Sequence, residues 1–574
     1  MNLTVRTKKR GLLSKVLAAV AVCCGSLVLD NAAIAETASC TPPDDAERRI
    51  YWGDLHTHTA LSMDAYVLNT TQTPSDAYLF AKGGPSTLHD GSEHRLLRPL
   101  DFAAVTDHAE YFGLTQVCIN EPERPYCKDL AEAAAENSPR GFMEMFLPLL
   151  TSGERNCLVD DKACELAEKS LWQRTIDAAN SANEPCKFTT FVANEWTASP
   201  GNLHWHRNLI YANDQVPERA LNSLDQPTQE ELWQGLDAQC RESDGCEVLA
   251  IPHNSNIGMG GAFQTEGHSA ETHALRGRFE KLVEIHQHKG SSECYAQSNL
   301  SDEACAFEFA IPIPLRNALA QESRALTDTE HQQIASGYVR NALAKGLTLR
   351  DSAGVNPFRY GFVGATDSHS GRPGDVEETH WGGALGQWDL TLEDRRRFLT
   401  YNPGGITGIW AEQNTRDSLF AALKRREVFA TSGPRISLQF EQSFAPNKKC
   451  ELPGRAAVRM GGSIAAAPST KSSTRRSRRM PTFTVRALKD KALLQRVDII
   501  KLALVDGEIK QTVRSFAGDK AGQADWCIAW QDQAYNAAQP ALWYARVLET
   551  ETVRWDGSTK LRERAWSSPI WSFP

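Results

Sequence analysis

Beyond its first 35 residues, this 574-residue chain has no apolar run long enough to span a bilayer. That stretch also lacks any Cys-x-x-Cys pair, which argues against a zinc site built on thiolates. Its glycine-rich segment, 255–269, has neither the spacing nor the lysine of a phosphate loop and reads as a mobile loop. The formal net charge of -9 is modest for this length and gives no reason to expect nucleic acid or a membrane surface as partner. The remaining composition is that of a soluble globular protein, and the length suits two or three domains.

What is present begins with a secretory pattern. Arg6, Lys8, Lys9 and Arg10 precede an apolar core over 16–29, and Ala33-Ile34-Ala35 has the form of a cleavage site. Residues 1–35 therefore read as a signal peptide, and the core is short for a membrane anchor. Export to a periplasmic or secreted location follows, with no membrane attachment after cleavage. Of 14 cysteines, 12 remain after residue 35, an even number that suits an oxidising compartment. Proximity pairs Cys118 with Cys127, Cys157 with Cys164, Cys240 with Cys246 and Cys294 with Cys305. Elimination leaves Cys40 with Cys186 and Cys450 with Cys527.

From 48 to 440, strand-like runs recur between helical or irregular stretches. They fall at 49–55, 101–106, 188–195, 208–212, 247–252, 281–286 and 361–366, with 208–212 read as a hairpin partner of the run before it. That alternation predicts an α/β domain with a parallel sheet or barrel. A cysteine-rich stretch, 110–187, with helical pattern at 130–136 and 164–181, reads as an insertion over the active face. Residues 441–574 read as a β-rich C-terminal domain, with strands at 435–440, 483–488, 496–505 and 542–548 and a turn at Asp506-Gly507. A segment at 465–480, carrying Arg475, Arg476, Arg478 and Arg479, interrupts it as a flexible surface loop.

The chemistry concentrates where strands end. His56 and His58 close the first run, and alternation along a strand aims both imidazoles at one point. Asp64 follows in the loop, and Asp107-His108 closes the second run. Glu195 closes the third, His253 the run at 247–252, and Asp367 and His369 the last. The run at 281–286 continues through Glu284, His286 and His288, of which His286 is the chosen ligand and Glu284 and His288 its rivals. Any one of these residues could cap a turn; their repetition is what caps do not explain. Imidazole and carboxylate donors together suit Zn, Mn or Fe, and their number exceeds the four of one zinc, so two or three divalent ions are expected. A carboxylate such as Glu195 can bridge two ions about 3.5–4 Å apart, the arrangement of metal-assisted phosphoester hydrolysis.

Asp54-Leu55-His56-Thr57-His58 with Asp64, Thr106-Asp107-His108, His253 and Asp367-Ser368-His369 resemble the motifs of the PHP (polymerase and histidinol phosphatase) superfamily. Trp52-Gly53-Asp54, Asn194-Glu195-Trp196-Thr197 and Ala430-Thr431-Ser432-Gly433-Pro434-Arg435 resemble more closely an exported bacterial branch of it, a domain of unknown function. The resemblance implies a distorted (β/α)7 TIM-like barrel over 48–440. By motif it implies three ligand sets. His56, His58, Glu195 and Asp367 form one; Glu195, His253 and a residue near His286 the second; Asp64, His108 and His369 the third. Many relatives carry His where this chain has Asp64. His204 and His206 read as a hairpin or substrate-facing pair rather than ligands.

The implied activity is that of an exported metal-dependent phosphoesterase attacking phosphorus with metal-activated water. Asp107 or His369 would carry a proton. Arg207, Arg372 and Arg435 are candidates for gripping a small anionic substrate, although such arginines are more often structural. An amidohydrolase-type C–N or ester hydrolase also opens with His-x-His. That class commonly has a bridging lysine where this chain has Glu195. The third reading is a non-catalytic exported metal- or ligand-binding protein.

Overall fold

The apolar runs that end in Asp, Glu or His become strands, and they lie side by side. The computed structural model describes residues 40, 48–136, 154–397, 402–444, 457–465, 480–519 and 521–574. The expected signal peptide, Cys450 and nearly all of 465–480 lie outside the described residues. The main strands are β1 (Arg49–Asp54), β2 (Phe102–Ala104), β3 (Thr189–Trp196), β4 (Arg207–Tyr211) and β5 (Val248–Pro252). After them come β6 (Leu282–Gln287), β7 (Gly361–Gly364), β8 (Ile406–Ala411) and β9 (Val428–Thr431).

Strands β1, β2 and β3 are parallel neighbours. Strands β3, β4 and β5 form an antiparallel meander, and β8 joins β1 antiparallel, with β9 beyond it. This is a mixed sheet rather than the parallel sheet or barrel expected from the alternation of strands and helices, and the run read as a hairpin partner, β4, returns antiparallel to β3. One cause is local. Only ten residues separate Trp196 from Arg207, too few for the crossover that a parallel return requires. All eight residues of β3 are buried, which is why that strand reads as apolar throughout rather than alternating. The helix Asp161–Ala182, capped where the Asp160 side chain accepts from Ala163 N at 3.0 Å, packs Leu171, Trp172, Ile176 and Ala179 into the core beside β3. Full burial of a side chain the size of Leu171 contributes roughly 1.5–3 kcal/mol.

Strands β6 and β7 pair in parallel within a separate three-stranded sheet. The two sheets meet just past their strand ends. His58 N donates to Ser368 O at 2.8 Å, Asp367 N to His56 O at 2.9 Å and Gly405 N to Ala365 O at 2.7 Å. The segment carrying His56 and His58 is thereby stitched to the one carrying Asp367 and His369. Residues 255–269 form two short 3-10 turns, Ser255–Ile257 and Gly261–Phe263, with Ala262 and Phe263 buried. Of the stretch read as a mobile loop, residues 255–263 pack around Arg207 and Arg276, which both donate to Ala262 O, while 264–269 are mostly exposed.

The C-terminal region is β-rich. It contains β10 (Ser437–Ser443), β11 (Thr482–Leu488), β12 (Leu494–Val505), β13 (Glu508–Ala517) and β14 (Asp525–Gln531). Last come β15 (Ala541–Glu549), β16 (Arg564–Ser567) and β17 (Ile570–Ser572). Asp506 and Gly507, at φ +52° and +81°, make the tight hairpin turn between β12 and β13. The β10–β11–β14 face packs Phe440, Phe483 and Ile528 onto Val497, Trp543 and Val547 of β12 and β15. Strand β16 pairs with β9, so the central sheet runs on into the C-terminal region. Among the described residues five disulfides are formed: Cys40–Cys186, Cys118–Cys127, Cys157–Cys164, Cys240–Cys246 and Cys294–Cys305. Cys40–Cys186 closes a separation of 146 residues, which in the chain-entropy picture stabilises by roughly 5 kcal/mol.

A carboxylate cluster joins the C-terminal region to the loops beneath the strand ends. Ser432 Oγ donates to Glu563, Trp555 N to Glu378 Oε2 at 2.5 Å, and Arg554 pairs with Glu308 at 3.2 Å. Arg564 and Glu549 also act on this cluster. Burial raises Glu308 to about 7; burial and mutual repulsion raise Glu378 and Glu563 above the carboxylate range. A raised carboxyl keeps its proton in the folded state after the unfolded chain has lost it. Its contribution is therefore full below about pH 4.3 and is lost as pH rises through the folded value. Urea titrations are expected to show stability falling between about pH 5 and 8.5, by on the order of 2–3 kcal/mol. Glu563→Gln should flatten that slope; a variant with the wild-type slope would contradict the assignment.

Candidate metal centre

Four side-chain atoms converge at the seam between the two sheets. His56 Nε2 lies 3.3 Å from His58 Nε2, 3.2 Å from Glu195 Oε2 and 3.3 Å from Asp367 Oδ1. His58 Nε2 lies 3.3 Å from Glu195 Oε2 and 3.1 Å from Asp367 Oδ1. A tetrahedral ion with bonds of about 2.0–2.1 Å has ligand–ligand edges of about 3.3–3.4 Å. The five separations match such a cage. His56 Nδ1 faces Glu284 Oε2 at 2.9 Å and His58 Nδ1 faces Ser62 Oγ at 3.2 Å. With Nδ1–H donating in each ring, both Nε2 atoms present lone pairs. Asp367 Oδ1 is buried with no hydrogen-bond partner. Buried acceptors facing one another need a cation between them, so the donor set fits a divalent metal ion.

Two more groups adjoin it. Glu195 turns its other oxygen, Oε1, toward His206 Nδ1 at 2.8 Å, His253 Nε2 at 3.2 Å and His108 Nδ1 at 3.5 Å. Asp64 Oδ2 meets His108 Nε2 at 3.0 Å and His369 Nε2 at 2.8 Å, while His369 Nδ1 donates to Asp367 O at 2.8 Å. The structure thus gathers eight of the nine residues expected as ligands: His56, His58, Asp64, His108, Glu195, His253, Asp367 and His369. The ninth, His286, stands apart between Phe307 and Trp566, with ring centroids 5.5 and 5.7 Å away. The reason is a bulge. The β6–β7 register skips Ile285, pairing Val363 with Glu284 and Gly364 with His286, and an extra residue reverses which face the next side chain takes. Glu284 then points at His56. The His206 imidazole, read as part of a hairpin or substrate-facing pair, occupies the place beside Glu195 and His253.

Strand ends aim the ligands, and the backbone there is strained. Asp367 and Asn254, the latter directly after His253, have φ +53°, a conformation retained at sites where the surroundings impose it. Asp54, fully buried, braces the turn: its carboxylate accepts from His56 N at 3.1 Å, Thr366 Oγ1 at 2.5 Å and Gly374 N at 2.8 Å. Asp54 was legible in principle, as a carboxylate in alternation with His56; Glu284 stood among the rivals to His286 as a lone charge inside an apolar strand.

Not every expected role survives the geometry. Asp107 spends both oxygens on Thr59, from N at 2.6 Å and Oγ1 at 2.7 Å, and burial raises it to about 6. It braces the first two strand ends rather than facing the ligand cage. The three arginines expected at the substrate are structural. Arg207 holds Glu280, Gln229 and the carbonyl of Ala262; Arg372 holds the carbonyls of Gly382 and Gly383; Arg435 those of Arg98 and Pro99.

The charges interlock. Burial opposes ionisation of Glu195, yet His108, His253 and the hydrogen bond from His206 hold it well below the usual carboxylate range. Burial likewise opposes charge on His56, but Asp367 and Glu284 raise it well above 6.5. His253 is pushed down to about 3 by burial and the charge of His56. Glu284→Gln should keep the fold and loosen the His56 ring, weakening metal affinity roughly 10–100-fold, the usual cost of losing such an outer partner. Competition with a metallochromic chelator measures this; an unchanged affinity would remove Glu284 from the site.

A mixed α/β chain with a buried histidine–carboxylate centre at its strand ends is thus defined. The chain belongs to the family described as Protein of unknown function (DUF3604), matched over residues 45–520 and 515–574. Among solved structures it is similar to a two-domain protein from Bacteroides vulgatus containing a predicted PHP-like metal-dependent phosphoesterase. That similarity has 10% identity, covers 91% of this chain and 97% of the other, and has a TM-score of 0.33. No curated protein matches the chain.

Proposed function

We propose that this protein is an exported metal-dependent hydrolase of phosphoric esters, holding two or three Zn, Mn or Fe ions. The observation that carries the reading is the posture of Glu195, whose two oxygens face two different ligand sets. A carboxylate so placed suits a bridge between neighbouring ions. His56, His58 and Asp367 would complete one position, His206 and His253 a second, and Asp64, His108 and His369 a third. Bound there, the ions would supply Lewis-acid charge and activate water for attack on phosphorus.

The chain's own residues do the rest. Glu284 and Ser62 orient His56 and His58. Thr197 N donates to Glu110 at 2.8 Å and Thr197 Oγ1 to Glu195 at 3.2 Å, which fixes the Glu195 rotamer. The inner ligands are fully buried, whereas Asp64, His108, His206 and His369 retain 6–9% exposure. Substrate therefore approaches from that rim. With Asp107 engaged by Thr59, His369 is the one of the two proton-carrying candidates that stands on the rim. The five disulfides among the described residues fit an oxidising compartment.

Metal analysis of natively purified protein, paired with hydrolysis of an aryl phosphate, tests the reading. Two or three ions per chain with phosphate release is the expected result. Bound metal with cleavage of carboxyl esters or amides alone would favour the amidohydrolase alternative. Bound metal with no hydrolysis of any ester or amide would favour a binding protein.

A further inference from the structure

Resting on the phosphoesterase reading, we infer that His204 binds the substrate, donating a hydrogen bond to an anionic phosphoryl oxygen. His204 and His206 lie two residues apart on the loop between β3 and β4, and the structure gives them different tasks. Both nitrogens of His206 are taken, Nδ1 facing Glu195 Oε1 at 2.8 Å and Nε2 facing Ser199 Oγ at 2.9 Å. The His204 ring lies beside it, with centroids 4.6 Å apart, and lies within the field of Lys289, Asp367 and His253 as well. It therefore stands at the edge of the ligand sets.

Two observations mark this ring as a group open to a ligand. His204 Nδ1 is buried and has no hydrogen-bond partner among the described residues. Leaving such an atom unpaired costs about 1–3 kcal/mol, a penalty that an arriving oxygen removes. The residue as a whole is nevertheless only half-buried, more open than His206, so a ligand at the rim can reach it. An imidazole carries at least one N–H in either charge state, so the donor role does not depend on its protonation.

The loop fixes the ring in advance. Trp205 N donates to Ala198 O at 3.0 Å, Trp205 Nε1 to Gly258 O at 3.3 Å, and Arg207 Nη1 to Trp205 O at 2.7 Å. Gly258 presses against the backbone of His204 itself, since a Cβ there would lie 2.6 Å from His204 O. Arg207, which the sequence offered as an anion grip, thus serves the site by bracing the loop that carries His204. A donor held in place before binding loses little freedom when the substrate arrives.

The test uses metal-loaded protein, inorganic phosphate and an aryl phosphate. In His204→Ala, the calorimetric Kd for phosphate and the KM for the ester should both rise roughly 10–100-fold, the worth of one hydrogen bond to a charged group, with metal content unchanged. His204→Gln, which keeps an N–H donor, should recover part of the loss; a protein as weak as His204→Ala would deny the donor role. Phosphate affinity of His204→Ala within about twofold of wild type would overturn the assignment, and so would loss of metal from it, which would place His204 among the ligands around Glu195, His206 and His253. Wild-type protein that holds metal yet neither binds phosphate nor cleaves the ester would remove the phosphoesterase reading itself. Wild-type hydrolysis with an unaffected His204→Ala would remove only the role of the histidine.

Discussion

Glu195→Gln is expected to cost at least about a thousandfold in hydrolysis and to empty part of the centre, because one carboxylate serves every neighbouring ligand set. Glu195 lies within 3.5 Å of His56, His58, His108, His206 and His253. The amide keeps the shape and removes the charge, so its effect separates electrostatics from packing. In the metal-free protein the same change leaves charged imidazoles without their counter-ion, and breaking such a buried pair typically costs about 3–5 kcal/mol. Elemental analysis, kcat and thermal unfolding together decide the matter. A Glu195→Gln protein with full metal and full activity would show that the ligand cage is misassigned.

Metal affinity is expected to rise steeply with pH. Ligating imidazoles must be neutral, yet carboxylate neighbours raise His56 and His58 above their ordinary value and raise His108 to about 10 despite burial. At neutral pH the metal-free centre therefore holds protons that an ion must displace. Each displaced proton makes the association constant grow about tenfold per pH unit. Zinc titrations at pH 6, 7 and 8, in buffers of different ionisation heat, should show proton release and a slope of at least one. A pH-independent affinity without proton release would mean that these histidines are neutral before binding. The same linkage predicts a thermal stability that depends on metal concentration, about 4 kcal/mol at a thousandfold excess over Kd.

How much of this was readable beforehand follows from range. Strand periodicity is local, so the run ending in His56 and His58 and the fully apolar β3 ending in Glu195 were visible as strands with a chemical residue at the tip. The cysteine pairs close in sequence were visible for the same reason. Strands β8 and β9 were not anticipated. The first is preceded by Gly404-Gly405 and interrupted by Gly408, where an added Cβ would lie 2.3 Å from the Phe429 ring, and small residues carry little periodic signal. Their pairing with β1 and β16 is a long-range matter.

Side-chain roles divided along the same line. Residue type at strand ends determined that the centre would be made of imidazole and carboxylate, with no cysteine, and it picked out His56, His58, Asp64, His108, Glu195, His253, Asp367 and His369. The tertiary structure decided everything that depends on one residue's displacement. A single bulge at Ile285 turns His286 away and brings Glu284 to His56. The antiparallel return of β4 brings His206 to Glu195. Arg207, Arg372 and Arg435 are engaged in holding Glu280 and loop carbonyls. Composition and spacing specify which donors a chain owns; a shift of one residue in register decides which of them can meet, because alternate side chains in a strand face opposite ways.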